Sequence, residues 1–154
     1  EVCSSDLVAD VLLDQHVLCG VGNVYRSEIL WACEISPFAT VADLDVADWV
    51  QIVNAATRML RSNLRHSSRV TNPDVPGGLA VYGRNGRPCA RCGHTVEVRR
   101  SGDYSRLVYF CSGCQRRYEP AVRTTPAPTV REMDPHPAAA MFLANLPWRR
   151  DAAG

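Results

Sequence analysis

Two cysteine pairs constrain this 154-residue chain more than anything else in it. They stand in "PCARCG" at 88–93 and "YFCSGCQ" at 109–115, so Cys89, Cys92, Cys111 and Cys114 have the form C-x2-C-x18-C-x2-C. Each pair sets two sulfurs on one tight turn, and a hairpin of the intervening length brings the two turns together. Four thiolates gathered in this way match the tetrahedron that Zn2+ prefers. The competing readings are two disulfides or a dithiol redox centre. No secretory leader is visible, which counts against disulfides, and a redox motif needs only one pair in a βαβ setting. A four-sulfur site is closed, so one Zn2+ with a structural role is expected. The stretch is too short to bury a core, so metal binding is expected to supply its folding energy. His94, two residues beyond Cys92, is read as a surface residue.

Charge divides along the chain. Residues 1–66 carry nine acids and four arginines, whereas residues 84–123 carry nine arginines against Glu97, Asp103 and Glu119. The segment with the four cysteines is therefore net positive beside a net negative one, which points to a polyanionic partner. All 17 basic residues are Arg. This excludes a lysine Schiff base within the chain and suits recognition of phosphate, although a compositional bias accounts for it equally. No stretch is apolar for long enough to span a bilayer, so no membrane partner and a cytoplasmic location are expected. No Ser-His-Asp pattern, phosphate-cradling glycine loop or paired carboxylates appear. Cys3, Cys19 and Cys33 are given no role, and His16, His66 and His136 are read as structural or solvated.

The first third reads as helical. Leu7, Val8, Val11 and Leu12 share a helical face, with Ser4 or Ser5 as cap and Asp6 in the first turn. "CGVGN" at 19–23 breaks the pattern. A second helix is predicted from Asn23, with Tyr25, Ile29, Ala32 and Cys33 on one side, and "ISPF" ends it because the residue before Pro37 is driven out of the helical region. A third is predicted from its cap at Asp45 to about Leu64, with Val46, Trp49, Val50, Val53, Leu60 and Leu64 at three- and four-residue spacing. Residues 67–88 read as loop with a short strand at "LAVY". Residues 94–100 and 105–111 read as a hairpin turning at "SGDY". From Pro120 the chain reads as Pro-rich linker, followed by an apolar island at 138–148.

"LLDQHVLCGVGNVYRSEILW" (12–31) closely resembles the helix–two-turns–helix motif of the formamidopyrimidine-DNA glycosylase and endonuclease VIII family. "VYGRNGRPCARCG" and "RLVYFCSGCQ" resemble that family's C-terminal zinc finger, in the same order and spacing. The resemblance covers about residues 5–117, and "RSEILW" is closer to the endonuclease VIII branch. It implies a mainly α fold with a small β-hairpin zinc ribbon. The divisions expected are a helix–two-turns–helix domain at 1–66, a loop at 67–83, the finger at 84–118 and a flexible Pro/Ala-rich tail at 119–154.

The resemblance also implies a function: the DNA-binding part of a base-excision-repair glycosylase and AP lyase that acts on oxidised bases in double-stranded DNA. Gly20 and Gly22 would let the backbone approach a phosphate, and Asn23 matches the family's phosphate-contacting asparagine. Arg106 occupies the place of the finger arginine that reaches phosphates flanking the damaged nucleotide. His16 stands where the formamidopyrimidine branch commonly has Lys, and Val108 replaces a frequent Thr. The loop at 67–80 is shorter than the one that branch lays over an extruded base, so an oxidised pyrimidine is the expected substrate. The family's nucleophile is an N-terminal proline amine followed by a glutamate, on a β-sandwich domain. This chain starts Glu1-Val2, and its first proline is Pro37. No catalytic residue is therefore expected in it, an upstream catalytic domain is expected, and the protein is expected to be monomeric. The alternative is a non-enzymatic zinc-ribbon module that binds RNA or protein.

Overall fold

The structure is a computed structural model that describes residues 2–65, 67–102 and 105–120. The tail beyond Pro120 and the hairpin positions Asp103 and Tyr104 lie outside the described residues. The elements in order are α1 (Val8–Val11), α2 (Asn23–Ala32), a 3-10 turn (Val41–Asp43), α3 (Val46–Ser62), β1 (Val96–Ser101) and β2 (Arg106–Cys111). The two strands pair antiparallel, from Val96 opposite Cys111 to Ser101 opposite Arg106. No helix among the described residues is long and apolar enough to cross a membrane.

α3 follows its sequence signals closely. The Asp45 carboxylate accepts from the Asp48 N–H at 2.9 Å, and the Asp48 carboxylate accepts from the Asp45 N–H at 3.0 Å, a reciprocal cap. Trp49, Ile52, Val53 and Ala56 form its buried stripe. The helix ends at Ser62 rather than Leu64, because the Asn63 side chain bonds both the N–H and the C=O of Val70 and turns the chain. α1 is a single turn without a side-chain cap, so neither Ser4 nor Ser5 caps it. Residues 4–8 instead run beside 39–42, where Val8 N–H meets Ala39 C=O, Val41 N–H meets Asp6 C=O and Ala42 N–H meets Ser4 C=O. That extended pairing holds the preceding backbone out of helix.

Two apolar clusters result. Val8, Leu12, Ile29, Leu30, Trp49, Ile52 and Val53 anchor the helical one. Trp31, Ala80, Val81, Cys89, Val96 and Cys111 form the smaller one beneath the hairpin. α2 contributes to both and is buried from Val24 to Trp31, all the way round. Its three central polar residues all bond surrounding backbone, Arg26 and Ser27 meeting β2 and Glu28 the loop before the hairpin. Arg26 donates to the carbonyls of Ala9 (3.4 Å) and Leu107 (2.8 Å) and pairs with Asp10 at 3.5 Å. The Ser27 hydroxyl accepts the Tyr109 N–H at 3.3 Å. The buried Glu28 carboxylate accepts the N–H groups of Ala80, Val81 and Tyr82 at 2.8–2.9 Å, together with the Thr71 hydroxyl. "LAVY" is therefore no strand: its amides bond a carboxylate, not a neighbouring backbone.

The end of the finger is tied back to the helices. Gln115 accepts the Cys111 N–H at 2.8 Å and donates to the Ile35 carbonyl at 3.0 Å. Arg117 pairs with the buried Asp48 and donates to Gln51 at 3.1 Å, while the Tyr118 hydroxyl donates to Asp48 at 2.6 Å. Glu28→Ala would leave three inward-facing amides without an acceptor. At about 1–3 kcal/mol for each buried group so stranded, it is expected to lower unfolding stability by about 3 kcal/mol or more, read from urea titrations followed by circular dichroism.

Candidate metal centre and nucleic-acid interface

The sulfurs of Cys89, Cys92, Cys111 and Cys114 all lie within 4.8 Å of one another, with Cys89 to Cys114 at 3.8 Å and Cys92 to Cys111 at 3.3 Å. Two tight turns place them. The Cys89 carbonyl accepts from Gly93, which sits at φ +77°, and the Cys111 carbonyl accepts from Gln115. A Cβ at Gly113 would come within 2.4 Å of the His94 ring, so glycine there lets His94 pack on the second turn. His94 stays exposed and outside the sulfur cluster, as its sequence position implied.

The chemistry of the set favours a cation. Burial pushes the Cys89 thiol up, but hydrogen bonds from the Trp31 indole and from the backbone N–H groups of Cys92 and Arg91 outweigh it and bring the group down to about 6. Burial and the Cys92 contact push Cys111 up to about 11. Burial and the charges of Cys111 and Cys89 raise Cys114 further. The thiolate forms readily at Cys89 and is opposed at Cys111 and Cys114, a conflict that a divalent cation among them removes. The four residues are placed to hold a metal ion. Cys33 is buried and its thiol is pushed up to about 12 by desolvation, whereas Cys3 and Cys19 are exposed; none of the three joins the cluster.

The four residues expected to face a phosphate separate into distinct roles. Gly20 sits at φ +91°, and its N–H donates to the Gln15 side-chain oxygen at 3.0 Å. Gln15 also donates to the Val21 carbonyl at 2.9 Å. Gly20 is thus the turn-forming glycine, with its amide engaged internally. Gly22 is the open one: it precedes α2 without a side-chain cap, and nothing lies within 4 Å of where its Cβ would be. Asn23 opens α2, where the first N–H groups have no acceptor within the helix, and its side-chain oxygen is buried without a partner.

Arg106 is exposed at the start of β2. Arg26, one helical turn after Asn23, donates to Leu107, the residue after Arg106, across 81 positions of sequence. That bond sets the open end of α2 and the start of β2 side by side. Asp10 braces the same corner. It accepts the Ser101 hydroxyl at 3.4 Å and lies where a Cβ on Gly102 would be, 2.7 Å away. Burial lowers the Arg26 guanidinium pKa, an effect Asp10 opposes. Arg106 also borders a cleft of about 650 Å3 whose lining includes Asp6, Asp10 and Asp14. Those carboxylates disfavour a polyanion inside the cleft, so an anion meeting Arg106 approaches over the outer face. Val108 is fully buried, so the apolar residue at that hairpin position packs inward. His16 is exposed, its N–H donating to Asp14.

The sequence reading passed over Glu28, Arg26 and Asp10. The available signal was three consecutive polar residues inside a helix flanked by apolar ones, a pattern that needs buried partners if the helix is covered all round.

The profile of the formamidopyrimidine-DNA glycosylase H2TH domain matches residues 4–73. A DNA-(apurinic or apyrimidinic site) lyase Nei2 from Mycolicibacterium smegmatis is 41% identical over 110 residues, covering 70% of this chain and 42% of the relative. A formamidopyrimidine-DNA glycosylase from Corynebacterium aurimucosum is 37% identical over 121 residues, covering 72% of this chain and 42% of the relative. The crystal structure of Lactococcus lactis Fpg with DNA containing an abasic site superposes with a TM-score of 0.63 at 25% identity, covering 73% of this chain and 43% of that one. Residues 4–73 match the H2TH domain of the formamidopyrimidine-DNA glycosylases, and the chain is similar to members of the formamidopyrimidine-DNA glycosylase and endonuclease VIII family. It spans about two fifths of the length of the curated relatives it matches. The three helices, the antiparallel hairpin and the gathered cysteines fit the helix–two-turns–helix and zinc-finger organisation of that family. In this chain the finger is a satellite of α2, since its apolar cluster includes Trp31 and its strand β2 bonds Arg26 and Ser27. Cys111→Ser removes one of four sulfur donors. The amide resonances of 84–118 are expected to collapse toward random-coil values while those of α3 keep their dispersion, as read in a proton–nitrogen correlation spectrum.

Proposed function

We propose that this chain is the DNA-gripping part of a base-excision-repair DNA glycosylase and AP lyase. On this reading Cys89, Cys92, Cys111 and Cys114 hold one Zn2+ that supplies folding energy and no catalysis. Asn23, with the open amides that begin α2, takes one backbone phosphate, and Gly22 leaves room for it. Arg106 takes a phosphate beside the extruded nucleotide. Gly20 shapes the turn that presents them. The observation that carries the reading is the Arg26 hydrogen bond to Leu107, which seats Arg106 beside the uncapped start of α2.

The partner is double-stranded DNA containing a damaged base, bound by a monomer. Extrusion and excision of the base belong to the intact protein, whose catalytic groups the family places on an N-terminal domain. The short loop at 67–80, its end held by Glu28, supports an oxidised pyrimidine as the base excised. The protein works in the cytoplasm, at the nucleoid when acting.

Phosphate contacts contribute affinity without reading sequence, so losing either one weakens binding to all duplexes alike. Arg106→Ala is expected to reduce the salt slope of duplex binding by about one counterion. Asn23→Ala removes a neutral donor and is expected to cost about 1 kcal/mol with the slope nearly unchanged. Anisotropy titrations of an abasic-site duplex at several salt concentrations measure both. Unaltered affinity in both variants would remove DNA from this account.

The 154-residue chain, with no lysine and its first proline at position 37, has none of the family's amine nucleophile. Borohydride treatment with an abasic duplex is expected to trap no covalent adduct.

A further inference from the structure

The last turn of α2 ends against the sulfur cluster. The Trp31 indole N–H donates to the Cys89 sulfur at 3.4 Å, a contact between positions 58 apart in sequence. Trp31 is buried, with a relative exposure of 9%. Arg91, between the first two cysteines, lies over that ring with its guanidinium carbon 3.8 Å from the centroid. The same guanidinium pairs with Glu34, two residues beyond α2, at 3.4 Å, and points Nη1 at the Cys114 sulfur at 3.7 Å. Two of the four sulfurs thus receive N–H groups from side chains that are not themselves donors to a metal. One of those side chains belongs to the helix that carries Asn23.

Four thiolates around a divalent cation leave an excess of negative charge on sulfur. An N–H aimed at a sulfur spreads that charge, and groups bonded to ligands fix their orientation. A phenyl ring at position 31 would fill the same apolar space. The indole N–H is the part of Trp31 that only the sulfur uses.

We propose that Trp31 is a positioning residue for the metal centre: with Arg91 it fastens the Cys89 sulfur to α2, so that loading the metal and seating the finger on α2 are one event. This rests on the reading that the four cysteines hold Zn2+. The arrangement makes α2 a rigid link, with the phosphate-facing Asn23 at its first residue and the sulfur-bonded Trp31 near its last. Arg91 strengthens it by clamping the indole from the finger side while holding Glu34 on the helix side.

The test uses the whole 154-residue chain with Zn2+ and with Co2+, whose thiolate charge-transfer bands report directly on the sulfurs. Trp31→Phe is expected to weaken Zn2+ retention against a competing chelator by about tenfold. It is also expected to shift the Co2+ charge-transfer band while far-ultraviolet dichroism stays unchanged. Replacing Trp31 with benzothienylalanine, which keeps the bicyclic shape and lacks the N–H, is expected to reproduce both effects and separates the hydrogen bond from packing. Wild-type Zn2+ affinity and an unshifted Co2+ band in the isostere would overturn the proposal while leaving the zinc reading intact. A wild-type chain without any Co2+–thiolate band would overturn both.

Discussion

The structure depends on a helix that is buried on every side yet carries Arg26, Ser27 and Glu28 in its middle. A buried charge or hydroxyl without partners would cost more than a small domain can offset. Each of the three must therefore find bonding groups, and the groups nearest to hand are backbone atoms of segments that surround the helix. Glu28 draws in residues 80–82, Ser27 fixes Tyr109, and Arg26 joins Ala9 to Leu107. Satisfying one helix's polar atoms thereby assembles the loop, the hairpin and the first turn of the chain around it. Backbone hydrogen bonds read geometry and not side-chain identity, so this socket fixes where the segments lie without constraining what their outer faces present.

A second set of buried polar contacts closes the far end. Asp48 caps α3 from within and also receives Arg117 and Tyr118 from beyond the last cysteine. Desolvation and the bond to Asp48 push the Tyr118 hydroxyl up to about 12, so it stays a donor throughout the physiological range. Together with Gln115, these contacts hold the C-terminal end of the finger against the helical part, more than 60 residues earlier in sequence. The finger is thus placed by the helices, while its internal shape is left to the cysteines.

The charge pattern follows from the same division. Carboxylates of the helical part are drawn inward as acceptors, at Glu28 and Asp48, which lessens the negative charge it shows outward. Arginines divide likewise. Arg26 and Arg117 have their guanidinium groups buried by the fold, whereas Arg106 is exposed. A count of charges along the chain does not make that distinction, because it depends on which side chains the packing encloses.

Several features were legible without coordinates because they rest on local chemistry. The cysteine spacing determines a four-sulfur cluster, Asp45 and the apolar spacing after it determine α3, and the glycines of "CGVGN" determine a break before α2. The strands at 96–101 and 106–111 follow from β-branched and aromatic residues about a turn. Other features were decided only by tertiary structure. Ser4 and Ser5 have the chemistry of helix caps, but pairing with residues 39–42 holds that backbone extended. "LAVY" has the composition of a strand, but a carboxylate 52 positions earlier takes its amides. Gly20 and Gly22 look alike in sequence, and only the Gln15 contact shows which amide is engaged. Local signals act within a few residues and so survive in the sequence. The partners of Glu28, Arg26 and Trp31 lie tens of positions away, and only the folded chain brings them within bonding distance.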